Sequence, residues 1–417
     1  MFCACEKIAF VFLDFHFLIF IFVEKHSHFK RSRFIQLKMK RTKQIIKGTI
    51  IIYTLGFFSY LIPKKKNSYA FVSFFDRKKF SGNLKSFLLY VHESHPEIET
   101  TYVGNNKDVV KEVEEHNIKT ASRPLSLFWT VLRAEHVFID ASTFFFSVGR
   151  FSVVQLWHGT GFKNIALLNR NTKNIIRYYF KKATRKYRIV VCTSESDCKK
   201  KGKSFETENV VATGLPRNDE LFVDEKVENE LLEKYKLERY DKIITYAPTW
   251  RDFPTKQPFS EEFWRKLNNY LVQSNSFFLV VKHPYSSFLK IPTAYSNIGD
   301  YTKVINDIQE ILVVTDFLIT DYSSVITDYA IMDKPFLIYA YDLELYIENC
   351  RSFGYDLKEV LPNPILKTED ELLEKLIDTS WENSPEVIEE HEEFKNMFHK
   401  YCDGNSCERV MEEVLSL

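Results

Sequence analysis

Short runs of Val, Ile and Phe, apolar on both faces, alternate with helix-patterned stretches through most of this chain. A strand with no polar face must be covered on both sides, which indicates parallel sheets clothed by helices. Tyr69–Phe75, Val137–Ile139, Ser152–Leu156, Arg188–Cys192 and Asn209–Ala212 read as strands, with Leu84–His92 as a helix. The Glu-rich stretch Val227–Arg239 carries Leu231, Leu232 and Tyr235 at helical spacing and reads as an exposed helix beside a domain junction. The pattern then restarts with Lys242–Tyr246, Phe277–Val281, Phe317–Thr320 and Pro335–Tyr339. Two such units predict an α/β chain of two Rossmann-like domains, their parallel sheets facing a cleft. The expected divisions are an arm over 1–66, a first domain over 67–226 and a second domain over 227–417. In sheets of this kind ligands sit beyond the carboxyl ends of the strands.

Charge separates the arm from the body. Between Lys25 and Phe75 there are twelve Lys and Arg and no Asp or Glu, while the chain as a whole carries +1. The body from Asp76 onward is therefore acidic, unlike a nucleic-acid-binding enzyme, whose cleft is basic. The arm is also apolar at Ile8–Val23 and again at Thr49–Ile62, the second run broken by Gly56 and stopped by Pro63. Both are shorter than the roughly 20 apolar residues that span a bilayer. Lysines and arginines flank the second run on both sides, at 38–43 and at 64–66. That composition predicts a segment lying on the anionic cytoplasmic face of the cell membrane, as a peripheral attachment. A weak n-region and the lack of a small-residue cleavage site argue against a signal peptide. Met39 offers a second start, so whether residues 1–38 belong to the native protein stays open at this stage. Seven cysteines without a C-x-x-C pair indicate neither a disulfide framework nor a zinc site.

Five strand ends carry chemistry. Ser152–Leu156 runs into Trp157-His158-Gly159-Thr160-Gly161-Phe162-Lys163. Asn209–Ala212 runs into Thr213-Gly-Leu-Pro-Arg217-Asn-Asp219, and Lys242–Tyr246 into Ala247-Pro248-Thr249-Trp250-Arg251-Asp252. Phe277–Val281 ends in Lys282-His283-Pro284, and Phe317–Thr320 in Asp321-Tyr322-Ser323-Ser324 before the helix-like Val325–Met332. Any one alone reads as turn punctuation or a helix cap. Together they suit an anionic, hydroxyl-bearing donor. Ser323 and Ser324 open a helix whose free N–H groups favour phosphate. Asp328, one turn on, would repel phosphate and so is expected to accept hydrogen bonds from donor hydroxyls. Lys282 and His283 can neutralise a pyrophosphate, and Arg217, Lys163 and Arg251 are further phosphate or acceptor candidates. There is no Walker A loop, no G-x-G-x-x-G and no D-x-D, which disfavours a metal-held nucleotide-sugar site of the D-x-D type. No metal and no cofactor are expected.

His158-Gly-Thr-Gly-Phe-Lys163, Gly214-Leu-Pro-Arg-Asn-Asp219, Tyr246-Ala-Pro-Thr-Trp-Arg-Asp252, Lys282-His-Pro284 and Thr320-Asp-Tyr-Ser-Ser-Val-Ile-Thr-Asp328 resemble, in this order, the CDP-glycerol glycerophosphotransferases. These are the teichoic acid primases and polymerases. Lys334-Pro-Phe-Leu-Ile-Tyr339 and Asp403-Gly404 fit the same pattern, and the resemblance spans Tyr69 to Leu417. It implies a GT-B fold, with 67–226 as the N-terminal acceptor domain and 227–417 as the C-terminal nucleotide-donor domain. It also implies transfer of glycerol phosphate from CDP-glycerol to a hydroxyl of a lipid-linked acceptor, of teichoic acid or capsule type, with release of CMP. In that resemblance His158 is the base and His283 the histidine at the pyrophosphate. The donor-binding positions are Gly159, Thr160, Gly161, Phe162, Arg217, Pro248, Thr249, Lys282, Ser323, Ser324 and Asp328. Gly161 departs from the Pro common in the family, and residues 1–38 have no counterpart. CDP-ribitol as donor is the nearest alternative. A nucleotide-sugar glycosyltransferase or epimerase fits the motif order less well. A catalytically silent membrane scaffold is disfavoured because both histidines are present.

Overall fold

The computed structural model describes residues 50 and 52–417, except 74–78, 142, 144, 170–173, 252, 284–285, 287–288, 350–352 and 363. The arm expected over 1–66 thus lies, through residue 49, outside the described residues, as do the end of the strand expected at Tyr69–Phe75 and Pro284.

The first sheet comprises β1 (Lys65–Val72), β2 (Glu99–Val103), β3 (Lys119–Ala121), β4 (Ala134–Ile139), β5 (Val153–Gln155), β6 (Tyr187–Cys192) and β7 (Val210–Ala212). The second comprises β8 (Lys242–Ala247), β9 (Ser276–Val280), β10 (Ile298–Asp300), β11 (Phe317–Thr320), β12 (Phe336–Tyr339) and β13 (Ile365–Leu366). Their orders are β3-β2-β1-β4-β5-β6-β7 and β10-β9-β8-β11-β12-β13, with parallel pairing throughout. Each order reverses direction beside its first strand, the arrangement of two Rossmann-like units.

The alternation of side chains along each strand explains the two-sided burial. Ala70, Val72, Val137, Ile139 and Val153 enter one core layer, while Tyr69, Phe71, Phe138 and Val154 enter the opposite one. The second sheet divides likewise: Ile243, Ala247 and Leu318 on one face, Ile244, Tyr246, Phe317 and Ile319 on the other. Each such side chain contributes roughly 1.5–3 kcal/mol of burial. β2, β3, β10 and β13 carry little of the Val/Ile/Phe signal, and none was anticipated from the sequence. Sequences such as Glu-Thr-Thr-Tyr-Val and Lys-Thr-Ala are strands because a neighbouring strand recruits them. The helix expected at Val325–Met332 is an α-helix over Val325–Tyr329 that tightens to a 3-10 turn over Ala330–Met332.

The chain crosses between the sheets more than once. The C-terminal helix Ser406–Leu415 returns to the first sheet, where Cys407, Val410, Met411 and Val414 join the layer containing Phe71 and Phe138. Asp219 holds its start: the carboxylate accepts from the Ser406 and Cys407 N–H groups at 2.9 and 2.7 Å. An anion at a helix N-terminus is favoured by the free donors and the dipole. On the other flank, Asp307 of the second domain accepts from the Gly82 N–H at 2.9 Å, at the start of the helix Gly82–Ser94. Lys85 bridges Glu220 and Asp307, at 3.3 and 3.7 Å.

Candidate functional site

Because the strands are parallel, all five polar tips emerge at carboxyl ends. β5 delivers Leu156 beside β4, where its N–H donates to Ile139 O at 2.7 Å. The chain then turns sharply. Trp157 adopts φ 58 and Gly159 φ 141, both in the left-handed region, which is rare for a bulky residue such as Trp157. Two buried amides hold this turn. Gln155 Oε1 accepts from the Trp157 N–H at 3.0 Å, and Asn83 Nδ2 donates to Trp157 O at 2.8 Å. Asn83 Oδ1 also accepts from the Arg217 N–H at 3.0 Å, so one side chain positions two of the tips.

The turn presents His158 to solvent, its ring stacked on Trp157 with centroids 4.2 Å apart. His158 Nδ1 lies 2.8 Å from the Asp140 carbonyl oxygen. A carbonyl can only accept, so Nδ1 carries a proton, and in the neutral ring Nε2 is the acceptor nitrogen. That is the tautomer a general base needs.

Opposite this loop stands the start of the helix Val325–Tyr329. A Cβ on Gly159 would meet Arg217 Nη2 at 2.9 Å, and one on Gly161 would meet Ser324 Cβ at 3.2 Å. At Gly159 the positive φ itself favours glycine, and at Gly161 the Ser324 side chain from the second domain leaves little room for a Cβ. Arg217 donates to His158 O at 3.0 Å and pairs with Asp328 across the gap. Arg217 Nε and Asp328 Oδ1 are buried and hydrogen-bond to nothing in the protein. So is the Thr249 hydroxyl at the β8 tip. Buried polar atoms without partners are costly unless a ligand or water satisfies them. The structure therefore brings together His158, Gly159, Gly161, Arg217, Ser324 and Asp328.

Other predicted residues take different places. Arg251 is no phosphate ligand in this arrangement: its guanidinium is 0% exposed, between Asp321 (2.6 Å) and Asp342 (2.7 Å). The two carboxylates push its pKa up against the opposing effect of burial. Asp321 in turn accepts from the Thr249 N–H at 2.9 Å, which shapes the Pro248–Thr249 turn. Pro248 is itself buried. Phe162 does not line the cleft either; it is buried in the second domain's core, edge-on to Phe398 at 5.7 Å. Thr160 is buried too, its hydroxyl donating to Asp197 at 3.1 Å. These three placements share a cause: side chains that close a buried junction carry the same residue types as side chains that bind a ligand. Lys163 sits over the Tyr346 ring at 5.2 Å. Lys282 donates to Leu289 O at 2.9 Å and pairs with Asp300 at 3.1 Å. His283 is exposed beside Trp250, centroids 5.5 Å apart, and partial burial pulls its pKa below the usual value. Ser323 Oγ accepts weakly from the Val325 N–H at 3.4 Å.

Sequence reasoning missed Asn83, Gln155, Asp140, Asp197 and Lys201. One signal was available for Asp140: β4 ends Ile139-Asp140 as β11 ends Thr320-Asp321, and both follow the fourth strand of their sheet.

A family model described as CDP-Glycerol:Poly(glycerophosphate) glycerophosphotransferase matches residues 54–416. The teichoic acid poly(glycerol phosphate) polymerase of Bacillus subtilis (strain 168) is 29% identical over 417 residues, covering 92% of this chain and 54% of the relative. The teichoic acid glycerol-phosphate transferase of Staphylococcus aureus is 28% identical over 390 residues, covering 87% and 96%. The chain thus spans about half of the first relative and nearly all of the second. Among solved structures, the wall teichoic acid polymerase TagF, in a variant soaked with CDPG, superposes with a TM-score of 0.73 at 23% identity, over 93% of this chain and 98% of that one. S. aureus MnaA with UDP superposes at 0.51 and 12% identity, over 83% and 95%. Both share the fold.

Proposed function

Because the chain belongs to the CDP-glycerol:poly(glycerophosphate) glycerophosphotransferase family, we propose that it transfers glycerol phosphate from CDP-glycerol to a hydroxyl of a lipid-linked polymer, releasing CMP. The observation that carries this reading is the Nδ1–carbonyl contact of His158 beside the Arg217–Asp328 pair, whose Arg217 Nε and Asp328 Oδ1 are unpartnered. In the mechanism we propose, His158 Nε2 takes the proton of the acceptor hydroxyl. The oxygen attacks the glycerol-bearing phosphorus, and the bond from that phosphorus to the CMP oxygen breaks. Arg217 Nε and the Ser324 end of its helix face the phosphates, while Asp328 Oδ1 accepts from a donor hydroxyl. His283, neutral in the free protein, gains a proton beside the pyrophosphate and assists departure of CMP.

The acceptor's lipid anchor requires a membrane-facing surface, and the helical stretch 52–61 supplies one. Ile50, Tyr53, Phe57, Tyr60 and Leu61 recur at helical spacing on its exposed side, with Phe57 61% and Tyr60 66% exposed. Phe58 packs edge-on against Phe128, centroids 6.2 Å apart, on the helix Pro124–Arg133. That helix adds exposed Leu125 and Trp129, with Arg133 over the Trp129 ring at 5.4 Å. No helix among the described residues is long and apolar enough to cross a membrane. We therefore assign peripheral attachment to an anionic bilayer on the cytoplasmic side.

The test is CMP release from CDP-glycerol with a lipid-linked acceptor, with CDP-ribitol in parallel. His158→Ala should lower acceptor-dependent release by about 10²–10⁴-fold, the usual worth of a general base. A preference for CDP-ribitol would reassign the donor. Full activity of His158→Ala would refute the mechanism.

A further inference from the structure

The loop that carries His158 is held from beneath by one helix, Glu195–Phe205, through residues spaced i, i+3 and i+4. Asp197 Oδ2 accepts from the Thr160 hydroxyl at 3.1 Å and from the Thr193 N–H at 3.1 Å. Lys200 Nζ donates to the Gly161 carbonyl, and burial lowers its pKa to about 8. Lys201 Nζ lies 2.7 Å from Asp197 and donates to Val191 O at 2.9 Å. Asp197 and Lys201 are 2% and 1% exposed at their side chains. A pair buried this deeply gains little net stability over apolar residues of equal volume, because both charges lose their hydration. Its distinctive product is a carboxylate held in place that accepts several donors at once, one of them on the loop two residues from His158.

The same loop is grasped from the other domain. Thr327 Oγ1, one residue before Asp328, lies 2.8 Å from both Thr160 O and Ser324 O, which share its one proton. Thr327 O accepts from His399 Nε2 at 2.6 Å, and the next residue, Lys400, donates its N–H to Thr193 O at 2.9 Å. Phe162 plugs the second core, and Gly354 N–H donates to Phe162 O at 2.8 Å. Thr160 is the point where both sets of contacts meet: its hydroxyl is fixed by the first domain and its carbonyl by the second.

We propose that the buried Asp197–Lys201 pair positions the catalytic loop through the Thr160 hydroxyl, and that the Thr327–Thr160 contact sets the base-bearing loop relative to the donor-side helix. Asp197, Lys201 and Thr327 touch neither substrate nor reacting atoms; they are positioning residues. The inference rests on the transferase reading for its kinetic consequence, though the loop geometry itself does not.

The experiment compares Thr160→Val, Thr160→Ser, Thr327→Val and the double variant Asp197→Leu/Lys201→Met with wild type. The apolar double replacement avoids a lone buried charge, so folding is retained. Hydrogen–deuterium exchange of the peptide covering 156–164 should accelerate in Thr160→Val and in the double variant, and stay at the wild-type rate in Thr160→Ser. Transfer kcat should fall about 10- to 100-fold, since a misplacement of about 1 Å costs that much, while calorimetric CDP-glycerol affinity changes by less than about threefold. Thr327→Val should lower kcat in the same way. Combining Thr160→Val with the double replacement should add nothing further. Unchanged loop exchange, or additive losses, would overturn the positioning role. Accelerated exchange in a protein whose wild type transfers neither polyol phosphate would uphold the positioning and sink the transferase reading instead.

Discussion

His158 and His283 show how far one residue's chemistry depends on its immediate neighbours. A histidine after a strand is commonplace; a histidine whose Nδ1 faces a main-chain carbonyl is held, when neutral, in one tautomer. His283 is tuned by burial, which disfavours its charged form and lowers its pKa. Binding of a pyrophosphate works in the opposite direction, because a nearby anion favours the imidazolium. As pH rises, the form that donates a proton to the leaving group is lost through that pKa. The descending limb should therefore lie at higher pH in kcat, which reports the donor complex, than in kcat/KM, which reports the free enzyme. His283→Ala should remove the limb from both profiles. Coincident limbs in the wild type would show that donor binding leaves His283 unperturbed. At this scale the residue types of the motifs were legible, whereas the burial of Arg251, Thr160 and Phe162 was not. An arginine in a strand-end turn looks the same whether it faces a phosphate or two buried aspartates.

At the scale of elements, the turn after β8 illustrates what those aspartates do. Arg251 ties Asp321, at the β11 tip, to Asp342, just past β12, and Asp321 receives the Thr249 N–H. The register that pairs Ala247 with Thr320 brings the two tips alongside each other. The guanidinium is further enclosed by the rings of Tyr322 and Tyr346, 5.2 and 5.0 Å away. Removing it in Arg251→Ala leaves two buried carboxylates without their counter-charge, which should cost about 3–5 kcal/mol. Urea denaturation measures this directly. CDP-glycerol affinity should fall with it, because the Asp321 carboxylate that orders the Thr249 turn loses the guanidinium that holds it in place. Arg251→Lys should recover little, since an ammonium cannot reproduce a two-pronged contact with one carboxylate while reaching the other. Wild-type stability in Arg251→Ala would mean that water screens the pair and the cluster is not a structural unit. The central strands were readable from their apolar runs, whereas β2, β3, β10 and β13 were not. β3, β10 and β13 are short edge strands and β2 is rich in Thr, and such segments adopt extended form because a neighbouring strand offers them hydrogen bonds.

Across the whole molecule, the exposed apolar stripe of 50–61 and the cleft define two separate surfaces. The first predicts binding to vesicles. Phosphatidylglycerol-containing vesicles should retain the protein better than neutral ones, and added salt should weaken retention because it screens the attraction of basic side chains. Phe57→Glu with Tyr60→Glu should release it at any ionic strength, as charges replace the buried apolar area. Retention by neutral vesicles that is indifferent to salt and to these substitutions would contradict a peripheral, charge-assisted contact.

The local order of the chain determined the α/β class, the two successive parallel sheets and the carboxyl-end placement of the polar tips. Those properties follow from side-chain period and turn chemistry, which act over a few residues. Tertiary structure alone decided which tips meet. The approach of Gly159 to Arg217 and Ser324, the burial of Phe162 in the other domain's core, and the return of Ser406–Leu415 to the first sheet all join residues far apart in the chain. So do the contacts that fix Thr160 from both sides. Such contacts depend on the relative placement of two packed bodies, and a polar residue's type records only that it needs a partner, not which one it finds.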